Sequence, residues 1–124
     1  MSKHENKTSG GRGEKLAEKY LRDNGYRILA RNFTTDIGEI DLIATDDEFL
    51  IFVEVKARMS DAYGEPAEAS VDVRKQRKLS MVASQYIKKS MLYGAPARFD
   101  VIEVRLDTGK ISHIENAFDS YLRY

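Results

Sequence analysis

The sequence has no cysteine, and this absence limits its chemistry. Disulfide bonds and thiolate metal sites are excluded, and the chain suits a reducing compartment. Apolar runs are also short, because the longest of them, 49–53, is far below the roughly 18 residues that a membrane span needs. Residues 1–13 are polar and contain no apolar signal-peptide core. We therefore expect a cytoplasmic protein with no membrane partner.

An excess of charge of one sign is lacking as well. The 20 basic and 20 acidic residues give a formal net charge of zero, which argues against a protein that coats nucleic acid by bulk charge. An enzyme that binds nucleic acid locally is still compatible with this balance, because metal-holding carboxylates and phosphate-holding cations cancel in the sum. Histidine is scarce, and the isolated His4 and His113 make no zinc site.

The length of 124 residues is that of one domain. We expect a flexible polar tail over 1–12 and a single folded domain over 13–124. Apolar periodicity predicts two helices and five strands in an α/β arrangement. The predicted helices are 13–24 and 72–91, and the predicted strands are 26–33, 38–45, 49–58, 98–106 and 110–114.

The second and third predicted strands form a hairpin whose register follows from their side chains. With 47–48 as the loop, apolar residues face apolar residues across the pair. The facing pairs are Ile40 with Val55, Leu42 with Val53, and Ala44 with Ile51. The same register places Asp41 opposite Glu54 and Glu39 opposite Lys56, and a slip by one residue would set apolar side chains against charged ones.

The facing carboxylates of Asp41 and Glu54 indicate a metal site. Directly opposite residues have Cβ atoms roughly 4.5–5.5 Å apart, so two carboxylates there repel each other unless a cation compensates. A cation of the magnesium type needs only one or two carboxylates and takes its other ligands from water and phosphate. Lys56, next on the same face, could orient a nucleophile and offset developing negative charge. These are the parts needed for metal-assisted phosphodiester hydrolysis.

A structural interpretation of the same residues is also open. Glu54 and Lys56 could be two ends of a surface ion-pair ladder, which is common on a half-exposed sheet. Against it, Glu54 follows Leu50 and Phe52 on the same face, so its carboxylate emerges from apolar surroundings.

The two strands around these residues resemble the PD-(D/E)XK nuclease motif, in the segments GEIDLIA at 38–44 and FVEVKAR at 52–58. Further motifs extend the resemblance to the bacterial YraN family, which is similar to archaeal Holliday-junction resolvases. These motifs are Gly13-Glu14, Tyr20-Leu21, Gly25-Tyr26, Ala69-Ser70-Val71, Lys75-Gln76-Arg77-Lys78-Leu79 and Arg98-Phe99-Asp100-Val101. One departure is Ile40, which stands where the superfamily's name has proline, a residue without a catalytic group.

The resemblance implies a restriction-endonuclease-like fold with a mixed central sheet flanked by helices. It implies that Asp41, Glu54 and Glu14 bind Mg²⁺ or Mn²⁺ and that Lys56 is the catalytic lysine. DNA, branched or flapped, is the implied substrate, in preference to RNA. Resolvase-like relatives act as dimers, so a homodimer is a further expectation. The neutral net charge leaves room for a protein partner that supplies affinity for DNA.

Basic side chains near the predicted site are candidate contacts to nucleic acid. The basic ones are Arg58 and, beside Arg74 on the second helix, Lys75, Arg77 and Lys78, and the amide of Gln76 could contact phosphate or a metal-bound water. Phosphate contacts and a solvated helix face both account for the helix cluster. The loop 59–69 follows the active strand and could close over a substrate or be a plain connector.

Three further residues could support the site indirectly, through contacts to the site residues. Arg98 and Asp100 share a face of the fourth strand and could pair with each other or with Glu39, although a structural ion pair explains them equally well.

We expect a metal-dependent endonuclease, with two alternatives. The first is a nucleic-acid-binding module that keeps the nuclease fold with little catalysis, although the intact Asp41, Glu54 and Lys56 speak against decay. The second is an interaction protein whose charges are surface pairs. In that case Asp41→Asn leaves the fold unchanged or more stable and alters no binding.

Overall fold

The computed structural model describes residues 2–59 and 70–119, with side chains described from Gly11 onward. The predicted order of helix, three strands, helix and two strands is confirmed. The elements are α1 (Ser2–Asp23), β1 (Arg27–Thr34), β2 (Glu39–Thr45), β3 (Leu50–Arg58), α2 (Val73–Lys89), β4 (Ala97–Arg105) and β5 (Ile111–Phe118). The predicted loop over 59–69 lies almost wholly outside the described residues, and its role stays a prediction.

One five-stranded sheet organises the domain, with its strands in the order β1-β2-β3-β4-β5. The pairs β1–β2, β2–β3 and β4–β5 are antiparallel, whereas β3 and β4 are parallel. The parallel pair requires a crossover connection, which contains α2. The predicted α/β class with a mixed central sheet flanked by helices is confirmed.

The helices cover opposite faces of the sheet and so create two apolar clusters. Beneath α1 the buried residues are Ala17, Leu21, Leu42, Ile51, Val53, Ile102, Val104 and Leu106. Beneath α2 they include Ile40, Ile43, Leu50, Phe52, Leu79, Val82, Ala83, Ile87, Phe99 and Val101. The first half of β3, the central strand of the sheet, contributes to both clusters.

The start of α1 differs from the sequence expectation. A tail is predicted to residue 12 and a helix from Gly13, whereas the helical backbone begins at Ser2. No proline interrupts residues 2–12, so nothing removes a backbone donor there. The end of the helix is as predicted, because Gly25 adopts a φ of 88° and the Tyr26 N–H donates to the Leu21 carbonyl at 2.9 Å.

The β2–β3 hairpin has the predicted register over part of its length. Pairing runs from Leu42 with Val53 to Thr45 with Leu50. The predicted pair Ile40 with Val55 is not among the backbone pairs of the described residues, and Ile40 packs in the cluster beneath α2 rather than on the face of Leu42. On the N-terminal side of Leu42, β2 still pairs with β1 but no longer with β3. Pairing with β3 therefore no longer sets which face of the sheet each β2 side chain occupies.

Candidate nuclease site

The site lies where β2 and β3 part, and Asp41 occupies that position. In place of continued backbone pairing, the Val55 N–H donates to Asp41 Oδ2 at 2.8 Å. Burial and then the negative charge of Glu54 raise the pKa of Asp41 to about 8, and the charges of Glu14 and Glu39 act in the same direction. The Val55 N–H opposes this rise, because it stabilises the ionised form. Asp41 is therefore within electrostatic reach of three other carboxylates, and its nearness to Glu54 agrees with the predicted hairpin register.

Glu54 lies on β3 directly after the buried Phe52, and its side chain is only 14% exposed. It points to the α2 side of the sheet, where Lys75 Nζ lies 2.5 Å from Glu54 Oε2. The carboxylate thus emerges from apolar surroundings, as its sequence neighbours predict. A largely buried carboxylate needs a cation nearby, and here an ammonium group provides it.

Lys56 is half-buried two residues further along β3. No ion pair joins its ammonium group to another of the described residues. Its strand neighbour across the parallel pair is Glu103, whose carboxylate is instead engaged by Arg58 Nε at 2.7 Å. Lys56 therefore keeps its charge available beside the carboxylates.

Glu14 reaches the site because α1 packs tightly on β3. A Cβ atom at Gly13 would come within 2.9 Å of the Ala57 Cβ, so only glycine allows this approach without a shift. The following residue, Glu14, is close enough for its charge to raise the pKa of Asp41. Glu14 is half-buried, and its role as a metal ligand stays a prediction.

The donor set fits a magnesium-type cation held by two carboxylates. In the described parts of the chain, no three Asp, Glu, His or Cys side chains come together as a metal-binding group. Two carboxylates are nevertheless compatible with Mg²⁺, which is often bound by one or two of them together with water and phosphate. A divalent cation between them would also remove the repulsion that raises the pKa of Asp41.

The predicted nucleic-acid contacts divide into three groups. Lys75 lies in the carboxylate site itself, whereas Arg77 and Lys78 lie exposed on α2. Gln76 Nε2 donates to the Val71 carbonyl at 2.9 Å, so this side chain holds the start of the helix. Arg58 is engaged by Glu103, and phosphate contact by any of these residues stays a prediction.

Of the predicted supporting residues, Glu39 is close enough to Asp41 for its charge to raise the pKa of Asp41, whereas Arg98 and Asp100 lie on the α1 side of the sheet. A supporting role for these residues stays a prediction. Arg98 Nε does donate to Asp100 Oδ1 at 3.1 Å, as one of the predicted pairings requires. Glu39 instead accepts from Thr34 Oγ1 at 3.3 Å. The reason is that Asp100 faces the α1 side of the sheet, opposite to Glu54.

The residues around Asp100 form a buried network that the sequence analysis missed. Asp100 is 1% exposed and accepts hydrogen bonds from the Asn116 N–H and Arg98, while His113 Nε2 lies 2.7 Å from its Oδ2. Tyr20 Oη in turn lies 3.0 Å from His113 Nδ1, and so links α1 to β5. The i, i+2 spacing of Arg98 and Asp100 was a signal for the pair, but no local pattern indicates its partners on other elements.

A groove of about 550 Å³ runs along α1 beside the site, and Glu14 and Leu42 contribute to its lining. Its cations are mostly paired, since Glu18 binds both Arg22 and Arg31. These contacts, Arg31 first, lower the pKa of Glu18 against the opposing effect of burial. Asp41, Glu54 and Lys56 do not line this groove. The candidate site is therefore identified by its carboxylates and not by a cavity.

The model of the family described as "Uncharacterised protein family UPF0102" matches residues 13–104, which includes every residue of the carboxylate site. The chain belongs to the UPF0102 family. Membership confirms the resemblance to the YraN family on which the sequence analysis relies. The match begins at the glycine that lets α1 approach β3 and ends in β4.

Relatives within UPF0102 are similar over nearly their whole length. A UPF0102 protein of Clostridioides difficile is 50% identical over 113 residues, which are 91% of this chain and 98% of the relative. A UPF0102 protein of Thermodesulfovibrio yellowstonii is 53% identical over 110 residues, covering 88% and 94% of the two chains.

Among solved structures, Pyrococcus furiosus SfsA in complex with Ca²⁺ is similar at a TM-score of 0.35 and 18% identity. The likeness covers 88% of this chain and 63% of SfsA, and at this TM-score it carries no argument. No helix within the described residues is long and apolar enough to cross a membrane.

Proposed function

We propose that this UPF0102 protein is a metal-dependent endonuclease. The observation that carries the proposal is the position of Asp41 where β2 and β3 part, close enough to Glu54 for that charge to raise the pKa of Asp41, with Lys56 two residues after Glu54 on β3. Burial of Asp41 and then its repulsion by Glu54 raise its pKa, so the ionised carboxylate is unfavourable for folding. A divalent cation bound between the two carboxylates would remove their repulsion, so this arrangement favours metal binding.

Each residue has a separate role in this proposal. Asp41 and Glu54 hold Mg²⁺ or Mn²⁺, and Glu14 adds negative charge from α1. When bound, the metal supplies Lewis-acid activation of the phosphodiester and lowers the pKa of water. The Val55 N–H keeps the Asp41 carboxylate in a fixed orientation. Lys56 orients the attacking water and offsets the charge that develops on the phosphate.

The substrate proposal rests on the YraN resemblance rather than on the carboxylates. We propose DNA with branched or flapped structure, and a homodimer that presents two sites to a symmetric junction. A protein partner in DNA processing and a cytoplasmic location belong to the same proposal. Exposed Arg77 and Lys78 on α2 are the proposed contacts to backbone phosphates beside the site.

One observation favours a second candidate, a nucleic-acid-binding module without catalysis. The Lys75 ammonium group already neutralises Glu54, so the site has a stable arrangement without metal. Such a module would bind nucleic acid equally well in EDTA and in Mg²⁺, and it would leave all substrates uncut.

The test is cleavage of a labelled panel that comprises a four-way junction, a flap, duplex DNA, single-stranded DNA and RNA. Wild type, Glu54→Gln and Glu48→Gln are compared in Mg²⁺, Mn²⁺ and EDTA. Glu48 is the matched control because it is exposed in the turn of the same hairpin. Cleavage in metal that survives Glu48→Gln and is lost in Glu54→Gln supports the endonuclease. Binding that persists in EDTA, with no substrate cut, supports the binding module instead.

A further inference from the structure

The cation that neutralises Glu54 comes from α2 rather than from β3. Lys75 Nζ lies 2.5 Å from Glu54 Oε2, and the Lys75 side chain is 44% exposed. Its ammonium group thus sits at the mouth of the site, with the carboxylate behind it. The Lys75 ammonium group therefore balances part of the negative charge that a divalent cation would otherwise balance. Because this side chain is partly exposed, it can move away from Glu54.

The position of Lys75 is unfavourable for the helix alone. The N-terminal end of a helix carries partial positive charge, so anions stabilise it and cations do not. The first turn of α2 contains no acidic residue, and basic residues occupy its first two turns. They are Arg74, Lys75, Arg77 and Lys78. The N-cap Asp72 offsets this charge, since its Oδ1 accepts the Lys75 N–H at 2.9 Å.

The same end of the helix is well suited to an anionic ligand. Positive side chains and an oriented helix N-terminus together attract phosphate. The anion that Lys75 contacts in this structure is Glu54, a residue of the protein itself. A ligand phosphate brought to the site would compete with Glu54 for the Lys75 ammonium group.

We infer that Lys75 serves two anions in turn: Glu54 in the metal-free protein, and a backbone phosphate of the nucleic acid once a divalent cation binds Glu54. The inference rests on the proposed function. The four-carbon stem of lysine allows the exchange without movement of the backbone. Metal and nucleic acid then help each other to bind, because each frees a group that the other needs, and this coupling is reciprocal.

Titration of Mn²⁺ into metal-free protein without nucleic acid, followed by calorimetry, tests the inference. Lys75→Met removes the competing ammonium group and keeps the length of the side chain. We expect Lys75→Met to bind Mn²⁺ about two- to fivefold more tightly than wild type, because a partly exposed ion pair contributes up to about 1 kcal/mol. Lys88→Met, in the last turn of α2, removes the same charge far from Glu54 and should change the affinity by less than about twofold.

The opposite effect is expected for nucleic acid. In Ca²⁺, Lys75→Met should bind a labelled DNA duplex about three- to tenfold more weakly by fluorescence anisotropy, because one phosphate contact is lost. Lys75→Arg keeps the charge and should match wild type in Mn²⁺ affinity. Circular dichroism of each variant verifies that the fold is retained.

The failure of the inference and that of the proposed function give different results. If wild type binds Mn²⁺ and Lys75→Met binds it no more tightly than Lys88→Met does, the inference is overturned and the metal site stands. If wild type binds no Mn²⁺, the proposed function is overturned and the inference falls with it. Tighter Mn²⁺ binding together with weaker DNA binding in Lys75→Met supports both.

Discussion

Replacement of Asp41 by asparagine should stabilise the metal-free protein at alkaline pH. Asparagine retains an oxygen that can accept the Val55 N–H, and it removes the charge that repels Glu54. Below about pH 4 Asp41 is protonated in the folded and the unfolded states, so its effect on stability does not change with pH. From about pH 4 to about pH 8 only the unfolded chain releases the proton, so the free energy of unfolding of wild type falls as the pH rises.

The size of the effect follows from the pKa of Asp41. A rise from 3.8 to about 8 corresponds to a ceiling of about 6 kcal/mol, at about 1.4 kcal/mol per pH unit. Partial solvent exposure screens the charge, so we expect Asp41→Asn to gain about 2–4 kcal/mol at pH 8.5 and close to nothing at pH 4.

Urea unfolding in EDTA at pH 4, 6 and 8.5 measures this difference. Asp36→Asn is the control, because Asp36 is an exposed aspartate of the β1–β2 turn and its replacement should leave the pH dependence of wild type intact. Equal stability of Asp41→Asn and wild type at pH 8.5 would refute the reasoning. Stabilisation alone fits a surface-charge interpretation too, so Mg²⁺ is added next. The metal should stabilise wild type at pH 8.5 and leave Asp41→Asn unchanged.

Three further substitutions test other parts of the account. Gly13→Ala should lower the free energy of unfolding, measured in urea, by about 1 kcal/mol or more, because the new Cβ meets Ala57. The same change should slow cleavage by displacing α1. The control Gly11→Ala should not destabilise the protein, because there is open space around Gly11. Asp100→Asn should cost about 2–4 kcal/mol in the same assay by removing the buried carboxylate charge that Arg98 and His113 both contact, and an unchanged midpoint would contradict that role. Lys56→Met should abolish cleavage while calorimetry shows Mn²⁺ affinity at or above that of wild type; retained cleavage would remove Lys56 from the chemistry.

Local patterns were sufficient for much of the fold. Alternation along β2 and β3 fixed the hairpin register over Leu42–Thr45, because a slip by one residue would bury charge. The end of the predicted helix 13–24 agrees with Gly25, which has a φ of 88° after α1, and the start of the predicted helix 72–91 agrees with Asp72, which caps α2 by accepting the Lys75 N–H. In each case the determinant lies within a few residues of the feature, so the sequence carries it directly.

Features that depend on several elements were not predictable in the same way. The turn of Ile40 toward α2 follows from the end of β2–β3 pairing, which no alternation records. Lys75 was recognised as one of several basic residues on a helix, but only the packing of α2 brings it to Glu54. The placement of Asp100 and His113 on the α1 side likewise depends on strand order.

The most direct test of the central claim is a crystal structure of the protein with Mn²⁺, examined by the anomalous scattering of the metal. The account predicts an anomalous peak in direct contact with carboxylate oxygens of Asp41 and Glu54, with the Lys75 ammonium group moved off Glu54. Absence of the peak at saturating Mn²⁺, with Lys75 still bound to Glu54, would contradict the claim that these two carboxylates form a metal site.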